Sequence, residues 1–177
     1  MEWPGADVGI AALTPCLLAG GMPAAAEVLA RQSLDTMGRL GDVWVLNGGS
    51  FTLAFTLARQ GRGDEAAVLA DALDKRYSWM GNPDAVCRSL ALSAARASQG
   101  RHEEALTFAT EAIQLTSTMD SNLLRTLALE VLADATHPVD PAAAVEALEQ
   151  AKQLDEGAGY SAAAERARSR LNEWGSR

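Results

Sequence analysis

A segment of this chain occurs twice at a fixed distance. Residues 58–70 read ARQGRGDEAAVLA, and residues 97–109 read ASQGRHEEALTFA, 39 positions later. Self-similarity at a fixed period predicts small units that stack and share one continuous core, because no single unit can bury its own apolar face. Such an array also presents a long surface to partners, although the repeat alone does not say which partner binds.

Two series of residues extend the repeat in both directions. The first series consists of alanines spaced 40, 39 and 39 residues apart: Ala26, Ala66, Ala105 and Ala144. The second series combines helix-stop and N-cap residue types at spacings of 40 and 39: Gly41-Asp42, Gly81-Asn82 and Asp120-Ser121. Because the two series are independent and share one period, they predict a true tandem repeat.

Apolar residues within a unit follow the helical period. Between residues 104 and 115 they fall at i, i+3, i+4, i+7 and i+8, namely at Ala105, Phe108, Ala109, Ala112 and Ile113. The pair Gly48-Gly49 inside another predicted helix indicates either close helix packing or a hinge, since each glycine costs about 1 kcal/mol relative to alanine. We therefore predict an all-α chain of about nine helices without strands, arranged as a right-handed α-solenoid of antiparallel helix hairpins.

The units follow from these two series. We predict a single domain over residues 1–177, with a partial unit at 6–40, full units at 41–80, 81–119 and 120–157, and a closing helix at 158–174. The paired helices are predicted at 42–60 with 64–78, 83–99 with 103–118, and 121–136 with 140–155. The apolar stretch from Val8 to Ala19 is interpreted as a buried first helix, because it lacks the basic residues that begin a signal peptide.

A family resemblance is carried by the pattern around the turns. Gly61-x-x-x-Glu65-Ala66-x-x-x-Ala70, with Ala54 and Leu57 in the preceding helix, resembles the tetratricopeptide repeat (TPR). More narrowly, Leu40-Gly41-Asp42-x-Trp44, the Gln-Gly-Arg turns and residues 159–168 resemble the C-terminal repeats of actinobacterial-type LuxR-family regulators and of multidomain ATPase or cyclase signalling proteins. The period exceeds the usual 34 residues, and Arg96 stands where the family places a bulky apolar residue.

The resemblance implies a function as well as a fold. It implies a protein-binding scaffold or sensor module of a bacterial protein that takes part in signal transduction or transcription regulation. The chain is then either a stand-alone repeat protein or the sensor end of a longer one.

Charge and cysteine content restrict the partners. The chain has 15 Lys and Arg against 23 Asp and Glu, for a net charge of −8, which disfavours a nucleic-acid backbone as ligand because phosphate binding needs cations. The two cysteines, Cys16 and Cys87, show neither metal-site spacing nor a paired framework, which is typical of a reducing cytoplasm. We expect a cytoplasmic protein whose partner is a protein, a peptide or an upstream domain, with no direct contact to nucleic acid or membrane.

The sequence predicts no catalytic, cofactor or metal site. The histidines, His102 and His137, fall in turns of different units, where the sequence forces no carboxylate or nucleophile into a catalytic position beside either one. The acidic pair Glu103-Glu104 begins a helix, where negative charge interacts favourably with the helix dipole. We therefore expect a protein that is not an enzyme and needs no cofactor.

The candidate partner site is a groove on the first helix of each hairpin, where the family places ligand-facing residues. Its predicted members are Asn47, Phe51, Phe55, Cys87, Arg88, Leu90, Arg125, Thr126 and Leu129. An exposed phenylalanine pair at i and i+4 would suit a helix or an extended peptide, whereas the same residues packed inside the array would be core. The alternative is a regulatory input domain that binds a small apolar effector between repeats, which a closed cavity would favour.

Overall fold

The structure, a computed structural model, describes residues 14–40, 43–74 and 82–175. All regular structure in these residues is helical: nine helices occur there and no strand. Helix α1 is described over residues 14–19, and the others are α2 Pro23–Leu40, α3 Val43–Arg59, α4 Gly63–Asp74, α5 Asn82–Ser98, α6 His102–Ser117, α7 Asn122–Thr136, α8 Pro141–Ala158 and α9 Ser161–Gly175. The all-α prediction is confirmed for this part of the chain. The predicted start of α1 at Val8 and the predicted end of α4 at residue 78 lie outside the described residues.

The turns between paired helices repeat in detail. Gly21, Gly61 and Gly100 have φ angles of 73°, 78° and 72°, in the left-handed region that glycine adopts most easily. After each glycine, a backbone N–H donates to the carbonyl five residues earlier, as Met22 does to Leu17 at 2.8 Å. This bond belongs to the Schellman motif that ends many helices. The recurring glycines therefore specify the same sharp turn after α1, α3 and α5.

The last hairpin turns without glycine. Asp140 caps α8 through its Oδ1, which accepts a hydrogen bond of 3.1 Å from the N–H of Ala143. Pro141 occupies the first turn of α8, where its missing N–H removes no helical hydrogen bond. The proline turn thus replaces the glycine turn, as the sequence predicts.

Small residues set the distances between helices. The four alanines of the first series, Ala26, Ala66, Ala105 and Ala144, are all completely buried. A Cβ on Gly49 of α3 would lie 3.1 Å from a methyl carbon of Leu34 on α2, so Gly49 serves close helix packing. Alanine and glycine at these positions let neighbouring helices approach closely.

Helices that follow one another in the chain pack together from α2 to α9, and the first helices of successive hairpins, α3, α5 and α7, also contact one another. Buried Phe51, Leu90 and Leu127 join these three helices in one core cluster. The three helices therefore form one continuous surface, which we call the first-helix face. The right-handed solenoid stays a prediction.

Candidate partner groove

The first-helix face is covered by α1. A narrow gap of about 10 Å³ separates Pro15 and Leu18 of α1 from six residues of the face: Thr52 and Phe55 on α3, Cys87 and Leu90 on α5, and Leu124 and Leu127 on α7. We call the surface formed by these six residues the groove. It is apolar apart from the Thr52 hydroxyl and the Cys87 thiol, and in this structure its occupant is a helix of the same chain.

The sequence leaves two alternatives open for the phenylalanine pair, an exposed groove and a packed core, and the structure shows the packed one. Phe51, Phe55 and Leu90 are 0%, 3% and 2% exposed, and Thr126 and Leu129 are also buried. Phe51, Phe55 and Leu90 belong to the core cluster that the first helices share with Leu18 of α1, where burial of apolar surface stabilises the fold. These five predicted residues are therefore core residues while α1 is in place.

The other predicted residues have different surroundings. Arg88 turns away from the groove: its Nε lies 2.5 Å from Asp74 Oδ1 on α4, and its Nη1 lies 3.1 Å from Glu111 Oε2 on α6. Arg125 is exposed on α7. Asn47 lies in α3, and its side chain is not among those that the structure describes. Of the nine predicted residues, Phe55, Cys87 and Leu90 line the groove. Burial raises the pKa of the Cys87 thiol to about 11.

The contacts of α1 do not follow the repeat. They involve Phe55 near the end of α3, Leu90 in the middle of α5 and Leu127 in the first half of α7. The contact position thus moves toward the helix N-terminus by about one turn from each first helix to the next, so α1 crosses the face diagonally. A prediction that repeats the same positions in every unit therefore missed Leu124 and Leu127 and placed the site at Thr126 and Leu129 instead.

An ion-pair cluster lies where α3, α7 and α9 meet. Arg59 of α3 reaches Glu130 at 3.0 Å and Asp134 at 2.9 Å, both on α7. From α9, Arg166 lies 2.7 Å from Glu130, and Arg170 pairs with Asp134. Burial opposes the charge on Arg59, but the two carboxylates raise its pKa above the ordinary value. The cluster ties α3 and α9 to α7 with charge-assisted hydrogen bonds, which are stronger than neutral ones.

A second and larger cavity lies on the side of α1 that faces away from the groove. A partly open cavity of about 250 Å³ lies between α1, the start of α7 and the α8–α9 turn, with Cys16, Leu123 and Tyr160 among its lining residues. Its walls are mostly small and apolar. A cavity of this kind is what the alternative function, binding of a small apolar effector, requires.

The two histidines lie at helix ends in the structure. His137 follows α7 and stacks on Trp174 of α9 with 4.1 Å between ring centroids, and His102 begins α6. Within residues 14–40, 43–74 and 82–175, no group of three or more His, Cys, Asp or Glu side chains is placed to hold a metal ion. None of the helices in that part of the chain combines the length and the apolar character that crossing a bilayer requires.

No protein-family profile matches this chain, and no curated protein or solved structure shows significant similarity to it. The likeness to TPR proteins and to the repeats of LuxR-family regulators therefore stays a prediction from the sequence.

Proposed function

We propose that this chain is a non-catalytic helical-repeat scaffold of the TPR-like solenoid type that binds a protein or peptide partner. We place it in the cytoplasm, as an interaction or sensor module of a bacterial signalling or transcription-regulatory protein. The observation that carries the proposal is the groove, which already holds a helix of its own chain. A surface that buries the apolar side chains of one helix has the shape and chemistry to bind another.

The repeated architecture supports the same function. The Schellman turns after α1, α3 and α5 and the buried alanines after them are spaced by the same period, so successive hairpins present their first helices to one side. Repeat proteins use such a continuous surface to bind partners. The net charge of −8 favours a neutral or basic partner protein over a polyanion.

Site-specific photo-cross-linking tests this proposal. A photoreactive amino acid at Leu124, a half-buried residue of the groove, should cross-link a defined protein in the native host. The matched control is Val68, which is 73% exposed on α4 and outside the groove. A protein recovered only from the Leu124 variant would support binding at the groove. If neither folded variant cross-links any protein, the scaffold function is wrong.

The cavity beside α1 favours a second candidate function, the binding of a small apolar effector. Its volume of about 250 Å³ exceeds the roughly 150 Å³ that holds a benzene molecule, and it is smaller than most ligand sites, which measure about 300–1,000 Å³. Ligand-observed NMR with indole tests this function. Ala162→Leu, which fills the cavity from its exposed rim, should abolish binding, whereas Ala142→Leu on α8, outside the cavity, should not. If the wild-type chain does not bind indole, an effector of this size class is excluded.

A further inference from the structure

Helix α1 places apolar side chains in the groove, as a bound helical ligand would. Leu18 is buried in the core cluster of the first helices, and Pro15 lines the same gap over the groove. Cys16, on another side of the helix, is exposed. The described part of α1 therefore packs Pro15 and Leu18 into the groove and presents Cys16 on another side.

The C-terminal end of α1 has a specific anchor. The carbonyl oxygen of Ala19 accepts a hydrogen bond from the Arg166 guanidinium on α9, and the same guanidinium pairs with Glu130. The last carbonyls of a helix lack partners within the helix and carry partial negative charge. Arg166 supplies both a donor and a positive charge, so the site selects the direction in which a helix can bind.

The fit of α1 is imperfect. Thr14 is buried, yet its hydroxyl oxygen has no hydrogen-bond partner among the described residues, which disfavours docking because a buried hydroxyl loses its hydration. The gap lies under Leu18, and the 250 Å³ cavity lies beside Ala19. Atoms that border such spaces lose dispersion contacts on one side. A helix with better complementarity could therefore compete with α1.

The connection between α1 and α2 allows α1 to leave the groove while α2 stays in place. The two helices are joined at Gly20 and Gly21, and Gly21 has a φ of 73°. The first turns of α2 have separate anchors on the α3–α4 turn: Gln60 donates to the carbonyl of Pro23 at 3.3 Å, and Arg62 lies 2.8 Å from Glu27. Movement of α1 about the glycines therefore leaves these contacts of α2 intact.

We propose that α1 is a displaceable ligand of the groove, and that the groove, once free, binds an amphipathic helix of a partner protein in the same direction. The partner helix places its C-terminal carbonyls at Arg166 and a leucine-sized side chain where Leu18 lies. An apolar residue at the position of Thr14 gives it tighter binding than α1. This inference rests on the proposed scaffold function and adds the class of partner and the competition with α1.

The Cys87 thiol reports the displacement of α1, because it lines the gap beneath this helix. Cys87 is partly exposed while α1 is docked, so in a full-length Cys16→Ser background the rise in Cys87 alkylation above this basal rate measures the fraction of molecules in which α1 has left. Leu18→Ala should raise this rate about 30-fold, at the lower end of the effect of deleting a buried leucine side chain. Thr14→Val, which replaces the unpaired hydroxyl by a methyl group, should lower the rate about fivefold.

Two matched controls separate local opening from global unfolding. Leu148→Ala removes an equally buried leucine from the α8–α9 core cluster, away from the groove, and should lower the melting temperature without a comparable rise in alkylation. Arg166→Lys should raise the rate several-fold. Arg170, four residues along α9, pairs with Asp134 and lies 5.0 Å from the Trp174 ring centroid, so Arg170→Lys should not raise it. If Leu18→Ala and Leu148→Ala accelerate alkylation equally, α1 leaves only when the whole chain unfolds and the proposal is wrong.

Direct binding tests the class of partner. The probe is a fluorescent peptide with the sequence of residues 8–22, Cys16→Ser and Thr14→Val, titrated against the full-length Leu18→Asp chain. It should bind that chain at least tenfold more tightly than the wild type, and a peptide with Leu18→Asp should not bind. If alkylation shows opening but no peptide binds, the docking part of the proposal is overturned. If size exclusion shows that Leu18→Ala forms a dimer, a second copy is the occupant and the partner helix is wrong.

These outcomes remain distinct from those of the scaffold test. Cross-linking at Leu124 could fail while alkylation and peptide binding behave as expected. In that case the groove binds a helix in vitro, and the proposed cellular function is rejected.

Discussion

Asp155 of α8 carries the clearest electrostatic cost in the structure. It is 0% exposed, and neither carboxylate oxygen has a hydrogen bond of ordinary geometry to any residue that the structure describes. Burial raises its pKa from the ordinary value of 3.8 to about 6; the nearby Glu130 carboxylate acts in the same direction, and the Thr126 hydroxyl and the Arg166 charge oppose it. We therefore predict that Asp155→Asn stabilises the chain at neutral pH.

The sign of the pH dependence follows from proton binding. Because its pKa is higher in the folded chain, Asp155 binds a proton more tightly there than in the unfolded chain. Its contribution to stability is fully present below about pH 4 and is lost as the pH rises through about 6. One pKa unit corresponds to about 1.4 kcal/mol, so the loss is at most about 3 kcal/mol. For a chain of this length, that corresponds to about 6–12 °C in melting temperature.

The measurement is urea denaturation of wild type and Asp155→Asn between pH 4.5 and pH 8. The difference in unfolding free energy should be small at the acidic end and should grow to a plateau above pH 6.5 in favour of the variant. Asp120→Asn, at an exposed aspartate before α7, is the control and should show no such trend. A flat difference, or a variant that is less stable at pH 8, would show that the Asp155 carboxylate has a favourable charged partner and would refute the reasoning.

Two further predictions concern close packing. Gly63→Ala would place a Cβ 2.5 Å from the Ser98 Cβ and should cost about 1–3 kcal/mol. Gly157→Ala, where a Cβ meets nothing within 4 Å, should stabilise α8 by up to about 1 kcal/mol. Urea titrations in which Gly63→Ala and Gly157→Ala change the unfolding free energy alike would contradict this. Ala105→Leu should also cost about 1–3 kcal/mol, because Ala105 is completely buried. Gln114→Leu on the exposed side of α6 should leave the melting temperature nearly unchanged, and equal losses for the two would show that the repeat register is wrong.

The helices and their turns could be predicted because their causes are local. The turns after α3 and α5 each need one residue in the left-handed backbone conformation. Because glycine adopts that conformation with little strain, Gly61 and Gly100 mark the two turns. Small side chains are needed where paired helices cross, so Ala66 and Ala105 recur with the same period and are buried. Each of these requirements is met by one residue type at a fixed position in the repeat. The sequence pattern therefore predicts the helix bounds to within a few residues.

The groove could be predicted only in part, because its causes are not periodic. The pattern placed apolar residues on the first helices, and Phe55 and Leu90 do line the groove. It could not show that α1 crosses these helices diagonally, which brings Leu127 into the groove. It also could not show that Arg59 pairs with Asp134, 75 positions away, because an ion pair between distant residues leaves no local signal.

The size of the buried side chains explains why the groove is where a partner would gain most. The crossings within the hairpins are built on alanines such as Ala105 and Ala144, which bury little apolar area each. Phe55, Leu90 and Leu127, whose side chains are larger, line the gap under α1. Burial stabilises in proportion to apolar area, by about 25 cal/mol per Å², so the departure of α1 would expose these side chains at a cost in free energy. A surface of that kind favours rapid recapture of α1 or replacement by another apolar helix, since large exposed apolar patches are rare on monomeric proteins.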